Sequence, residues 1–218
     1  GNHKSRALEE SHRFYKEAFD LLSQRTAKNK EEEETLLIDL LNEWAFALAY
    51  KGAFSELIEL FKAHEGLAES IHDKERLGMF YGGLGVALCM REEFTESYTY
   101  LRKSLELGEQ TKSPKVTGHA CFRLALTCAN LGYLDEAVKH GERARDLSAD
   151  PKADLPLYRV AFGLFTAYWY RGDIRKLREL GTGLLDEGRK GSDPRCLAMG
   201  EITLGNSHMS AGNFLSAI

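Results

Sequence analysis

Five breaks recur along this chain at a fixed interval: Lys51-Gly52-Ala53-Phe54, Arg91-Glu92-Glu93-Phe94, Leu131-Gly132-Tyr133-Leu134, Arg171-Gly172-Asp173-Ile174 and Ala211-Gly212-Asn213-Phe214. Their second residues stand 40 positions apart at every step, and only Glu92 departs from glycine. Over 124–144, LALTCANLGYLDEAVKHGERA, an apolar stripe at helical spacing runs into the break and a second stripe follows at once. A single helical hairpin cannot bury its own apolar face. A constant period between about 20 and 50 residues therefore points to hairpins stacked in an array rather than to one closed core.

Composition agrees and narrows the partners. With 43% hydrophobic and 28% charged residues, the chain is neither disordered nor membrane-embedded. No apolar run approaches the roughly 18 residues needed to cross a bilayer, and 44–50, the longest candidate, reads as a helix face. A net charge of −4 gives a nucleic-acid partner no bulk electrostatic support. The four cysteines, Cys89, Cys121, Cys128 and Cys196, form no C-x-x-C pair and read as small reduced core residues. With no cleavable signal pattern at the start, a cytoplasmic setting is expected.

Residues 1–22 place Leu8, Ser11, Phe14, Tyr15, Ala18, Phe19 and Leu22 at helical spacing and read as the second helix of a partial repeat. Full units are expected over 35–72, 74–112, 114–148 and 154–190, and a partial one over 194–218. This makes one array over 1–218, cut through the repeat at both ends, as in a fragment of a longer protein. First helices are predicted near 35–50, 74–90, 115–130, 155–170 and 195–210, and second helices near 55–70, 95–111, 135–147 and 175–189. Glu31 to Glu34 read as the solvated, dipole-favoured first turn of the helix that follows them. Ser113-Pro114 and Asp193-Pro194 each pair an N-cap residue with proline at the first helical position. Pro151 and Pro156 are expected to keep their junction extended and to delay the next helix.

Ala45, Gly85, Ala125 and Gly205 occupy one phase of the repeat, where a small residue lets the partner helix come close. Leucine at Ala125 or Gly205 is expected to overpack. Phe165 breaks the pattern and should widen its helix pair.

The corner glycine, the aromatic beside it and the later small residues (Gly132, Tyr133, Ala137 and Ala144, then Gly212, Phe214 and Ala217) resemble the tetratricopeptide repeat. That family repeats every 34 residues; the longer period here implies longer helices. The resemblance covers essentially the whole chain and implies an all-α fold, a right-handed superhelix of antiparallel helix pairs. The segment from Phe162 onward, with its YxRGD turn, Asp193-Pro194 start and LGNSHMSAGNF, also resembles the C-terminal helical repeats of bacterial cyclase or kinase proteins with AAA-type ATPase modules. Leu204-Gly205-Asn206 gives a narrower likeness to Pins/LGN-type adaptors with 40-residue units.

No catalytic residue, cofactor site or metal site is expected. No G-x-x-x-x-G-K-[ST] or H-E-x-x-H occurs, and Gly82-Gly83-Leu84-Gly85 falls in mid-helix with no strand before it. His119 with Cys121 and Cys128 reads as core rather than as a ligand set. In tetratricopeptide arrays the first helices line the concave face. That phase transfers to Asn42, Phe46, Tyr50, Met90, His119, Phe122, Asn130, Arg159, Phe162, Trp169, Tyr170 and Asn206.

Such a surface suits an extended peptide or partner helix. The alternative, that its aromatics only pack elongated helices, stays open. The basic set of a two-carboxylate clamp is not assembled, since only Asn42, Arg123 and Asn206 fall near it. The reading is a non-catalytic interaction or regulatory segment of a larger, bacterial signalling protein. Its partner is a protein or peptide, with neither nucleic acid nor membrane involved, and cut repeat ends favour self-association. The rivals are a stand-alone peptide-binding adaptor and a small-ligand or peptide sensor controlling an attached cyclase or ATPase.

Overall fold

The computed structural model describes residues 2–23 and 30–213. Among them the regular structure is helical throughout: α1 (Asn2–Ser23), α2 (Lys30–Lys51), α3 (Phe54–Ser70), α4 (Lys74–Met90), α5 (Phe94–Thr111), α6 (Pro114–Asn130), α7 (Leu134–Ser148), α8 (Leu157–Arg171), α9 (Ile174–Gly191) and α10 (Pro194–Ser210). The final expected half-hairpin at 214–218 lies outside the described residues. The helices fall into two compact units, Gly1–Thr111 with α1 to α5 and Lys112–Ile218 with α6 to α10.

Every predicted corner is made in the same way. Gly52, Glu92, Gly132, Gly172 and Gly212 all take the left-handed conformation, with φ of +74°, +62°, +82°, +71° and +77°. That turn aims the next amide back at the helix it has left. Ala53, Glu93, Tyr133, Asp173 and Asn213 donate to the carbonyls of Leu48, Leu88, Cys128, Tyr168 and His208 at 2.9–3.0 Å. This is the Schellman closure, which satisfies carbonyls that the helix end would leave bare. The period of 40 is thus a period of helix ends.

Helix starts follow the predicted caps. The Ser113 hydroxyl accepts from the Val116 N–H, and the Asp193 carboxylate accepts from the Arg195 N–H. Two boundaries differ from expectation. Helix α2 begins at Lys30 rather than near residue 35, taking Glu31, Glu32 and Glu33 into its first turn. The Pro151–Pro156 junction is not simply extended. Asp150 caps a short 3-10 helix, Pro151–Ala153, and α8 then opens at Leu157.

In the first unit the core gathers Phe19, Leu41, Trp44, Leu48, Phe61, Phe80, Leu84 and Leu88. Gly83 lets α4 lie on α3, because a Cβ there would sit 2.6 Å from the Phe61 ring. In the second unit Leu124, Ala125, Cys128, Ala144, Leu164, Tyr168 and Leu184 are buried. Antiparallel packing of α9 on α10 is set by three glycines: Gly181 faces Leu204, Gly188 faces Leu197 and Gly200 faces Leu185. Phe165 is buried at the phase where the other first helices carry a small residue.

Candidate protein-interaction face

Within the second unit, α6, α8 and α10 present equivalent residues side by side. One row is Phe122, Phe162 and Ile202, and the next is His119, Arg159 and Met199, each 40 positions from the last. The rows are drawn together at Gly163. A Cβ there would lie 2.9 Å from the Phe122 carbonyl oxygen and 3.2 Å from the Ala125 methyl. Only a glycine allows α8 this close to the α6 backbone.

The face is aromatic along its rim. Phe162, Trp169 and Tyr170 are 49%, 43% and 52% exposed. Trp169 stacks obliquely on the buried Phe165 at 5.3 Å and on Tyr170 at 6.1 Å, so its indole is held while one surface stays open. The Arg195 guanidinium lies 4.6 Å from the Tyr158 ring and pairs with Asp193. Asn130 and Asn206 are half-buried and donate to the Leu126 and Ile202 carbonyls of their own helices.

Below the rim a neutral histidine lies close to Arg123, Arg159 and Lys115. His119, placed by the repeat phase among ligand-facing residues, is buried and forms the floor. Its Nε2 is 3.1 Å from the Asp154 carbonyl oxygen, while its buried Nδ1 makes no hydrogen bond. Burial first, and then the charge of Arg123, with Arg159 and Lys115 adding to it, holds the ring at about 4, well under its ordinary value. Arg123 leans against the Phe122 ring at 5.6 Å. Its Nε is shut from solvent with no hydrogen-bond partner, and no acidic side chain pairs with it among the described residues. Burial, with Arg159 nearby, pulls the guanidinium down to about 10, so it remains charged at neutral pH. At the positions 40 before and after Arg123 the chain carries Gly83 and Gly163.

Of the expected face residues, the second unit therefore brings together His119, Phe122, Arg159 and Phe162, with Trp169 and Tyr170 along the rim. Asn42 is half-buried on α2 and Met90 is 52% exposed at the end of α4, both in the first unit. The side chains of Phe46 and Tyr50 lie outside the described residues. Cys121 and Cys128 are both buried in α6, and the His119 ring bonds toward the Asp154 carbonyl. Arg123 is the residue whose weight the sequence hides. Its signal was a cation at a phase where two neighbouring repeats have glycine.

No family profile matches the chain. Over 116 residues it is 27% identical to the type II methyltransferase M.CeqI of Rhodococcus hoagii, a match covering 53% of this chain but only 22% of that protein. Solved structures show a closer likeness in shape. The BtubC (BKLC) protein of P. vanneervenii superposes with a TM-score of 0.76 at 15% identity, over 97% of this chain and 87% of that one. A putative kinesin light chain of nearly identical TPR-like repeats from Podosopora anserina gives 0.68 at 16% identity, over 88% and 92%. The apo form of RapI gives 0.60 at 11% identity, over 98% and 80%. No helix among the described residues is long and apolar enough to cross a membrane. With hairpin corners at a fixed period, helices throughout and these structural neighbours, the chain is by its fold a tetratricopeptide-like helical repeat.

Proposed function

We propose that this chain is a non-catalytic protein-interaction segment of a larger signalling protein, and that the α6–α8–α10 face holds an extended peptide of its partner. An acidic side chain of that peptide reaches Arg123, and neighbouring apolar side chains lie on Phe162 and Trp169. The observation that carries this reading is the half-buried Arg123, whose Nε is shut from solvent without a hydrogen-bond partner and which no acidic side chain pairs with among the described residues, close to His119 with its unbonded Nδ1. A cation drawn partly out of water is costly unless something compensates it, and the compensating partner in this reading is a carboxylate. The face lacks the basic set of a two-carboxylate clamp, but this buried group supplies a different reason to expect an acidic ligand. A repeat scaffold working inside a larger protein also accords with a sequence match that occupies a minor part of an enzyme.

The test is selection of displayed random peptides on the wild-type chain and on Arg123→Leu. Wild type is expected to enrich Asp or Glu at one position next to an apolar residue. Arg123→Leu should lose that enrichment and bind the selected peptide about 10–100-fold more weakly, as for a lost charged hydrogen bond. Its melting temperature should hold or rise, since an unpaired buried charge has gone. Equal enrichment on both proteins would refute the reading.

A further inference from the structure

We propose that Cys128, Glu136 and His140 form a binding site for one zinc ion at the corner between α6 and α7. The site shares no residue with the interaction face and stands or falls without it.

Cys128 lies in the last turn of α6, and its carbonyl accepts the corner bond from Tyr133 at 2.9 Å. Glu136 and His140 are four apart on α7, hence on one side of that helix. The left-handed Gly132 and the Tyr133 bond fix α7 against the end of α6, so the three side chains converge. The Cys128 sulfur, a Glu136 carboxylate oxygen and a His140 ring nitrogen all lie within 4.8 Å of one another. Cys128 and His140 are buried, and Glu136 at the mouth is exposed, leaving an entrance for an ion.

The other corners of the same chain serve as internal controls. Positions 40 apart share one backbone, and where this corner has Cys128 with His140, the others have Leu48 with Leu60, Leu88 with Tyr100, and Tyr168 with Leu180. A carboxylate alone is no signal, because Glu56 and Glu96 occupy the Glu136 position in two of those corners. The buried sulfur and imidazole that accompany it are what set this corner apart.

Thiolate, imidazole and carboxylate are all zinc ligands, bound at about 2.0–2.3 Å, and zinc takes four donors in tetrahedral array, either four protein ligands or three with a water. Tetrahedral donors sit roughly 3.3–3.8 Å apart. Closing the site therefore needs a modest inward movement, which the exposed Glu136 arm can supply. Water takes the fourth position. Binding releases the Cys128 proton to solvent and clips α6 to α7, so metal affinity and hairpin stability are linked.

The test uses the reduced, metal-free chain titrated with cobalt(II) as a spectroscopic substitute. One equivalent should give a thiolate-to-cobalt charge-transfer band and the intense visible bands of a tetrahedral site, and zinc should displace both. His140→Leu places the residue found at the matching positions of α3 and α9, and it should keep the helical circular dichroism while losing the bands. Glu136→Gln is a surface change that leaves the fold in place, and it should weaken cobalt binding ~10-fold or more. Absence of the charge-transfer band in wild type, its persistence in His140→Leu, or unchanged affinity in Glu136→Gln would each overturn the site.

Discussion

The α4–α5 and α6–α7 hairpins have the same corner geometry but fill the space between their helices in opposite ways. In the first, Gly85 faces Leu101, and a Cβ on Gly85 would come within 2.6 Å of the Leu101 Cγ. In the second, each residue 40 positions on has changed size: Ala125 now faces Gly141, where an added Cβ would lie 3.4 Å from the Ala125 methyl. Leu164 of α8 fills the room left over Gly141. Polar cement differs too. The Ser97 and Ser104 hydroxyls of α5 each donate at 2.7 Å to an α4 carbonyl, of Gly85 and Gly78, whereas α7 carries Ala137 and Ala144 at those positions. One backbone plan thus accepts either a close polar seam or a close apolar one. The second hairpin, freed of that seam, carries the buried His119 and His140 and the half-buried Arg123.

The largest effect expected from this difference is on acid stability. His119 replaces Met79 of α4 at the matching position, and burial, with Arg123, Arg159 and Lys115 close by, holds it at about 4 against an ordinary 6.5. Its surroundings also include the Asp154 carbonyl and the Lys115–Asp154 ion pair. Below the free value the unfolded chain takes up a proton that the folded chain refuses. Stability is therefore full above about pH 6.5 and falls as pH drops toward about 4, by up to ~3 kcal/mol. His119→Met, which copies α4, should flatten this part of the stability–pH curve measured by urea denaturation. A slope as steep as that of wild type would show that other groups carry the acid response.

Next comes the swapped pair. Ala125→Leu must push against both Gly141 and Gly163, and should cost about 1–3 kcal/mol. Gly85→Ala should also destabilise by overpacking against Leu101. The same change in a Leu101→Ala background should cost less, with a coupling of about 0.5–3 kcal/mol in a double-mutant cycle. Additive effects would mean that the two positions do not share their space.

How far these features could be read in advance depended on how local their causes are. A left-handed corner favours glycine at one position, as four of the five corners have, and Pro after Ser113 or Asp193 needs no tertiary partner to start a helix, so helix ends were legible to within a few residues. The partial burial of Arg123 was not, since it depends on how closely α8 approaches α6 at Gly163, and an arginine on a helix ordinarily stays in water. His119, expected among the ligand-facing residues, is buried instead, which helix phase alone could not foresee. The convergence of Cys128, Glu136 and His140 needed the repeats to be laid over one another rather than searched for a ligand motif.

Smaller effects should come from the polar seam. Ser104→Ala removes a buried donor and gives α5 the alanine that α7 carries at that position, for about 0.5–1.5 kcal/mol by thermal denaturation. The Gly78 carbonyl belongs to α4 and keeps its acceptor role within that helix, so the loss should stay near the low end. Destabilisation well above this range would mean that the seam, rather than apolar fit, sets the α4–α5 register.

The corner itself offers the mildest and most symmetrical test. Glu92 holds φ at +62° where its four counterparts use glycine, and only glycine enters that region without a Cβ clash. Glu92→Gly should raise stability, but by no more than about 0.5–1 kcal/mol, because glycine also gives the unfolded chain more freedom. Gly132→Ala should lower it by a similar amount. Nothing lies within 4 Å of a Cβ built at Gly132, so any cost there is conformational rather than steric contact with a neighbour. If the two changes shift the melting temperature in opposite directions, the corners are equivalent in conformational demand and differ only in how well each is met. If Glu92→Gly destabilises instead, the Glu92 side chain holds its corner by a contact that outweighs the strain.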